Sequence, residues 1–290
     1  MPRVLGVIGG SGIYEIAGLQ NVQELRVETP YGPPSDSVLK GTLGATTLLF
    51  LPRHGKGHRI PPHAINYRAN VCALKKLGAE QLVSITAVGS MREEIRPGDV
   101  VIVDQYIDLT KRRHSTFFED GIAAHVTLSD PVDPALASAV ARAVETAGGS
   151  VRRGGSYVCI EGPQFSTRAE SMIYRSWGVS VIGMTAMPEA KLAREAELPY
   201  ATLALATDYD CWHETEDAVS VEAVIAVLQK NADLAKRAIV ELARTLPDPE
   251  QSPAARALEG AIISEPSAIS EEVRARLGWL IDRYFPRGRR

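Results

Sequence analysis

Short runs rich in β-branched and other apolar residues alternate along the chain with longer amphipathic stretches, and few architectures accommodate that alternation. The runs are Val4 to Ile8, Thr47 to Leu51, Leu82 to Ala87, Val100 to Val103, Ser156 to Ile160, Ser180 to Met184 and Thr202 to Thr207; each has the length of a buried strand. Between them lie helices with readable starts. Asp133 and Pro134 supply an N-cap and a first-turn proline ahead of Ala135 to Ala147, Thr167 and Glu170 form a capping-box pair, and Ser220 caps a long helix running to about Arg244. Strands and helices in alternation predict a three-layer α/β/α fold around a mixed, largely parallel central sheet. A length of 290 residues allows two domains, but the uninterrupted pattern predicts a single α/β domain over residues 1–246. Pro247, Pro249 and Pro253 then break the pattern and a further helix follows Ser270, so residues 247–290 read as a helical C-terminal appendage.

Composition excludes several classes of function. With 45% apolar and 23% charged residues the chain is an ordinary globular one. Its formal charge of −3 offers no electrostatic footprint for a nucleic acid. Cys72, Cys159 and Cys211 are widely spaced with no Cys-x-x-Cys pair, which predicts reduced thiols and no disulfide framework. The apolar run before Gly9 is too short for a signal-peptide core, and no stretch approaches the roughly 20 apolar residues of a membrane helix. These features predict a soluble, cytoplasmic protein with neither nucleic-acid nor membrane partners.

In open α/β sheets ligands bind beyond the carboxyl ends of the strands, so the residues that follow each run are the candidates for chemistry. Gly9-Gly10-Ser11-Gly12 can form a backbone nest for an anion, or simply a tight turn; it lacks the third glycine of a dinucleotide fingerprint and the ending of a P-loop. Arg53 follows Pro52, and a guanidinium matches two oxygens of a phosphate. His54, His58 and His63 raise a metal site as the alternative, but Gly55, Gly57, Pro61 and Pro62 intervene and remove any shared helix face, so no metal is expected. Thr86 and Thr185 end two strands; each hydroxyl could satisfy local backbone, and together with Ser11 and Arg53 they would make a metal-free dianion site. Asp208 and Asp210 leave the end of another strand two residues apart, which in extended chain points both carboxylates to one side. They read either as a proton-donating and hydrogen-bond-accepting pair or as a solvated acidic turn.

Six segments, in order, resemble the 5′-methylthioadenosine phosphorylases of the trimeric purine nucleoside phosphorylase group. They are Gly6-Val7-Ile8-Gly9-Gly10-Ser11-Gly12, Pro52-Arg53-His54-Gly55, Asn66-Tyr67-Arg68-Ala69-Asn70, Gly89-Ser90-Met91-Arg92-Glu93-Glu94, Glu161 to Glu170 and Ala206 to Trp212. The resemblance runs from about Val4 to about Ala243 and implies phosphorolysis without a cofactor, inorganic phosphate being the co-substrate that attacks C1′ of the nucleoside. On matching positions it implies that Ser11, Arg53, His54, Thr86 and Thr185 bind phosphate. It likewise implies that Ala87 and Met184 line the ribose, that Phe165 and Ser166 contact the purine, that Asp208 protonates or hydrogen-bonds N7, and that Asp210 receives the 6-amino group. Val221 and Val224 match positions lining an apolar 5′ pocket, and His125 matches a histidine reaching in from a neighbouring subunit of a homotrimer. A carboxylate facing a 6-amino group favours adenine over 6-oxo purines. Gly183 stands where animal members carry asparagine, and the Gly183-Met184-Thr185 run also resembles bacterial relatives that act on 5′-methylthioinosine; those relatives lack the Asp-Tyr-Asp segment present here. A 5′-methylthioinosine or general purine nucleoside phosphorylase is the alternative.

Overall fold

A computed structural model describes residues 3–10, 16–213 and 221–286. Its eleven strands form one mixed sheet. In chain order they are β1 (Val4–Gly9), β2 (Gln20–Leu25), β3 (Val38–Leu43), β4 (Thr46–Pro52), β5 (Gln81–Ser90), β6 (Val100–Ile102), β7 (Gln105–Asp108), β8 (Val151–Arg153), β9 (Ser156–Cys159), β10 (Val181–Gly183) and β11 (Tyr200–Tyr209). The helices are α1 (Tyr67–Lys76), α2 (Pro134–Thr146), α3 (Arg168–Ser176), α4 (Ala186–Glu195), α5 (Val221–Arg244) and α6 (Glu271–Ile281). Every predicted strand is present. Of the four that the sequence did not announce, β3 (VLKGTL) lies between β2 and β4 and buries only Val38 and Gly41, while the edge strands are short or polar: β2 (QNVQEL) is almost wholly exposed, and β7 and β8 have four and three residues. Such edge strands carry no buried face, so no apolar period marks them.

Period-two alternation sorts the central strands onto two faces. Leu5 and Val7 of β1, with Leu48 and Phe50 of β4, pack against α2 and α5 through Leu136, Val140, Leu234 and Ile239. Ile8, Leu49 and Leu51 face the other side, where α1, α4 and α6 supply Val71, Leu74, Leu192 and Leu277. The result is the expected three-layer arrangement. Residues beyond Pro247 share that second core, with Leu258, Ile269, Val273, Leu280 and Ile281 all buried in it, and buried Glu197 accepts from the Leu258 amide (3.1 Å) and the Tyr284 hydroxyl. Of the N-caps read from sequence, Asp133 accepts from Leu136 N and Thr167 with Glu170 forms the reciprocal box, while Ser220 lies outside the described residues; Ser270, where a further helix is expected to start, accepts from Val273 N. No described helix is long and apolar enough to cross a membrane.

The feature that positions a site is a divergence along β5. Its first half pairs in parallel with β1 as far as Ser84, opposite Ile8. Its last residues pair with β10 instead, Gly89 with Ile182 and Ser90 with Val181. Between them the β1-side edge of residues 85–88 has no strand partner, while on the other edge β11 follows β5 from Leu82 to Ser90. Ala87 is exposed in the middle of this otherwise buried strand. The sheet therefore opens at one point, and α4 begins beside it.

At the far end of α4, buried Glu195 accepts from the Thr116 hydroxyl and the Phe117 amide, both at 2.7 Å. Burial outweighs these two bonds and pushes its carboxyl up from 4.5 to about 7. The native protein thus holds a proton there in the interval where the unfolded chain has released it. This residue's contribution to stability is complete below pH 4.5 and declines as pH rises to about 7. In Glu195→Gln the amide oxygen keeps the Phe117 contact, and the amide nitrogen faces Thr116, whose hydroxyl turns to accept from it. We expect the variant to become the more stable protein as pH rises from 5 to 8, by about 3 kcal/mol at most at 1.4 kcal/mol per pH unit. Urea unfolding midpoints across that range are the check, and a pH-independent difference would show that Glu195 titrates normally.

Candidate active site

At the opening in the sheet, Arg53 follows β4 with 1% of its surface exposed. Its guanidinium forms a fork with Glu189 of α4, Nε to Oε2 at 3.0 Å and Nη2 to Oε1 at 3.2 Å. Nη1 donates to the Ile85 carbonyl at 3.0 Å, and Nη2 reaches Ser84 Oγ at 2.7 Å and the Ile8 carbonyl at 3.3 Å. The side chain thus stitches together the two strands that diverge. A guanidinium has five N–H donors, and these contacts leave a single Nη1 donor for an anion. The bidentate phosphate clamp expected of Arg53 is not available in this geometry, because its fork is already closed on Glu189. One donor and a partly neutralised charge are what it presents.

His54, also buried, places Nδ1 2.9 Å from the Ile60 carbonyl, so that nitrogen carries the proton and Nε2 is left with its lone pair. Burial and the neighbouring Arg53 charge hold its pKa down at about 4, and its ring stacks on His58 at 4.1 Å. A neutral His54 can accept a hydrogen bond from a phosphate hydroxyl and cannot donate through Nε2. Among the described residues no group of three or more histidine, cysteine, aspartate or glutamate side chains is placed to hold a metal ion.

Thr86 and Thr185 come together. Thr86 does not end its strand but lies within β5, two residues past the last pairing with β1, while Thr185 stands at the N-cap position of α4; their hydroxyl oxygens are 3.1 Å apart and buried. The Thr185 hydroxyl caps no amide of its own helix. Two hydroxyls and the remaining Arg53 donor converge, which is the inventory of an anion site. Ser11 lies outside the described residues.

Three residues further along β5, about 10 Å of extended chain, the acids stand on the adjacent strand. A bulge between Ala206 and Asp208 shifts the register so that Asp208 lies opposite Gly89. A Cβ built on Gly89 would lie 3.7 Å from Asp208 Oδ2, 3.5 Å from Asp210 Cβ and 3.1 Å from Ile182 Cγ2. Glycine keeps this space open, and both acids flank it, as the spacing predicted. Their environments differ. Asp210 is buried, accepting from the buried Ser171 hydroxyl of α3 while its amide donates to the Ser90 carbonyl at 3.1 Å. Asp208 is half-buried, with Oδ1 2.5 Å from Thr207 Oγ1.

Of the remaining predicted positions, Met184 sits between Gly183 and Thr185 with its sulfur against Gly162. Ser166 accepts through its carbonyl from the Cys211 thiol, at 3.6 Å, beside Asp210. Phe165 is 85% exposed. His125 is exposed and its amide is tied to the Ala261 carbonyl at 2.9 Å, away from these residues in its own chain. Val221 and Val224 begin α5, but their side chains lie outside the described residues.

Comparison with known proteins agrees with this geometry: the phosphorylase superfamily profile matches residues 4–244. The chain belongs to the phosphorylase superfamily. It is 53% identical over 285 residues to the S-methyl-5′-thioadenosine phosphorylase of Geobacter sulfurreducens, covering 98% of this chain and 100% of that one. The corresponding protein of Koribacter versatilis is 50% identical, with 98% of each chain covered. A methylthioadenosine phosphorylase crystal structure sourced from an antarctic soil metagenomic library superposes with a TM-score of 0.91 at 49% identity, over 97% of this chain and 99% of that one.

In this superfamily member two organising residues carry no sequence signal. Arg113 lies in Lys111-Arg112-Arg113-His114, which reads as a solvated basic loop. Its side chain is 1% exposed, and it holds the Met184 carbonyl at 2.7 Å, the Met187 carbonyl at 2.6 Å and the Glu161 carboxylate at 3.1 Å. It thereby fixes the turn that presents Met184 and Thr185. Glu189 is the other: only the fold shows that it meets Arg53. Removing one partner of a buried ion pair leaves the other charge unpaired. We expect Glu189→Ala to cost about 3–5 kcal/mol in chemical denaturation, far more than an exposed pair. A loss below about 1 kcal/mol, the exposed-pair range, would show that Arg53 finds other compensation.

Proposed function

We propose that this chain is an S-methyl-5′-thioadenosine phosphorylase, a pentosyltransferase that converts 5′-methylthioadenosine and phosphate to adenine and 5-methylthioribose 1-phosphate. The observation that carries the reading is the placement of a donor pair and an acid pair at two levels of one strand opening. Thr86 and Thr185 lie at one level and Asp208 and Asp210 beside Gly89 at the next. The interval accommodates a ribosyl carbon between an anion and a purine. Full-length relatives of the same activity at about half identity support it.

Each group then has a task. The threonine hydroxyls and the remaining Arg53 donor hold phosphate, with Ser11 of the glycine loop completing the ligands, and His54 Nε2 accepts a hydrogen bond from the phosphate hydroxyl. The anion under C1′ stabilises the oxocarbenium-like charge as the glycosidic bond breaks and is itself the nucleophile. Asp208, the more accessible acid, shares or delivers a proton at N7 of the departing adenine. Asp210, fixed by Ser171, accepts from the 6-amino group, an arrangement that a 6-oxo purine would oppose acceptor to acceptor. Ala87 and Met184 line the ribose, and Phe165 and Ser166 the purine. No cofactor is required, since fixing two substrates in attack geometry supplies the rate enhancement.

The exposure of Phe165 and the remoteness of His125 support assembly as a homotrimer, in which His125 of one subunit and Val221 and Val224 complete the 5′ side of the pocket. Cys72, Cys159 and Cys211 are free thiols, which fits the cytoplasm as the compartment.

Chromatographic product analysis tests the reading with 5′-methylthioadenosine and 5′-methylthioinosine in parallel, with and without phosphate. Adenine is expected only when phosphate is present, with little hypoxanthine from the inosine analogue. Asp208→Asn should lower turnover of the adenine substrate by about a hundredfold or more while leaving KM for phosphate near its original value. Preferential hypoxanthine release would reverse the assignment of the two acids, and adenine release without phosphate would make the enzyme a hydrolase.

A further inference from the structure

Tyr157, in β9, is wholly buried, its ring packed 5.9 Å from that of Tyr106, yet among the described residues its hydroxyl makes no hydrogen bond of ordinary geometry. An unpaired polar group in such a place is costly, and structures that keep one give it a use. Its surroundings are the anion end of the site. The hydroxyl lies against the backbone of Gly183, where a Cβ would stand 2.0 Å from the oxygen and 2.7 Å from Cζ. Gly183 has no positive φ to require glycine; the tyrosine hydroxyl is what excludes a side chain there. The Thr86 hydroxyl and the Thr185 amide face the same oxygen and, with Arg53, work against the effect of burial, which pushes the phenol well above its ordinary pKa. It is therefore a neutral O–H donor at any pH at which the protein works.

The two threonine hydroxyls carry two protons between them. Facing each other at 3.1 Å, with the Ala87 carbonyl 3.2 Å from Thr86 Oγ1, they consume at least one of these protons internally. A third donor changes that count. If Thr86 Oγ1 accepts from Tyr157, it no longer needs the Thr185 proton, and both threonines can donate to a bound anion.

We propose that Tyr157 is a positioning residue of the phosphate site, its buried hydroxyl donating to Thr86 so that the protons of Thr86 and Thr185 both point to phosphate, with glycine at 183 as the space that this hydroxyl requires. The inference rests on the reading of Thr86 and Thr185 as phosphate ligands. Tyr157 makes no contact with the reacting atoms and acts only through Thr86.

The test is steady-state kinetics of Tyr157→Phe, Thr86→Ala and the double variant, with thermal midpoints recorded with and without phosphate. Tyr157→Phe should raise KM for phosphate about three- to tenfold, the effect of one neutral hydrogen bond. It should leave the nucleoside KM and the phosphate-free midpoint unchanged and shrink the stabilisation that phosphate confers. The double variant should be no worse than Thr86→Ala alone, because the two residues act in series. An unchanged phosphate KM in Tyr157→Phe, beside a raised one in Thr86→Ala, overturns the role of Tyr157 and leaves the phosphate site standing. Unchanged values in both remove the phosphate reading and this inference together. Equal damage to both substrates, a lowered phosphate-free midpoint, or an added loss in the double variant would each show a packing role or a direct contact and refute action through Thr86.

Discussion

The buried ion pair between Arg53 and Glu189 is the contact on which the rest of the site depends. Two charges with about 1% of their side-chain surface exposed are tolerated only when every lone pair and proton nearby is engaged. Here the engagement is structural. The guanidinium bonds carbonyls of β1 and β5 where those strands part, and the Tyr200 hydroxyl of β11 closes the network on Glu189 at 3.0 Å. An opening in a sheet exposes unpaired backbone groups. Arg53 satisfies them with a charge and leaves a cleft where an anion can approach.

That arrangement gives Arg53 a different part from the one that its position after β4 suggested. A residue can match a phosphate clamp in type and place and still be committed to holding the scaffold, with one donor to spare. In the proposed phosphate site the direct donors are then the small, neutral hydroxyls of Thr86 and Thr185. Hydroxyls suit a transferable phosphate: they orient it without the deep electrostatic well that a bare guanidinium fork would create, so the anion stays able to attack. The acids on β11 divide similarly, one held by Ser171 and one left accessible, although both leave the same strand.

The layers, the strand runs and the helix caps were legible because they are local: period-two alternation, an N-cap at Asp133 and the Thr167 box depend on neighbours within a few residues. The pairing of Thr86 with Thr185 was expected from strand-end positions, which Thr185 occupies and Thr86, inside β5, does not; the shared side of Asp208 and Asp210 followed from their spacing. Arg113, Glu189, Ser171 and Tyr157 were illegible for one physical reason. Each acts through a partner between 39 and 136 positions away in sequence, or, for Tyr157, through the backbone of a glycine on a neighbouring strand. In the sequence Arg113 looks solvated and Tyr157 looks like ordinary core. The strands β2, β7 and β8 escaped because an exposed or three-residue edge has no apolar period to display.

Helix α4 connects features that the chain otherwise keeps apart. Thr185 stands at its first turn, Glu189 in its body, Glu195 near its end, and Glu197 just beyond holds residues of the C-terminal segment. A non-helical Met187 (φ −115°, ψ 136°) separates the turn at Thr185 from the helical body that carries Glu189 and Glu195, and that body leads to the anchorage of the C-terminal segment at Glu197. The C-terminal segment is thus part of the support of the helical body that carries Glu189, and truncation there would loosen the partner of Arg53, which the removed residues never touch.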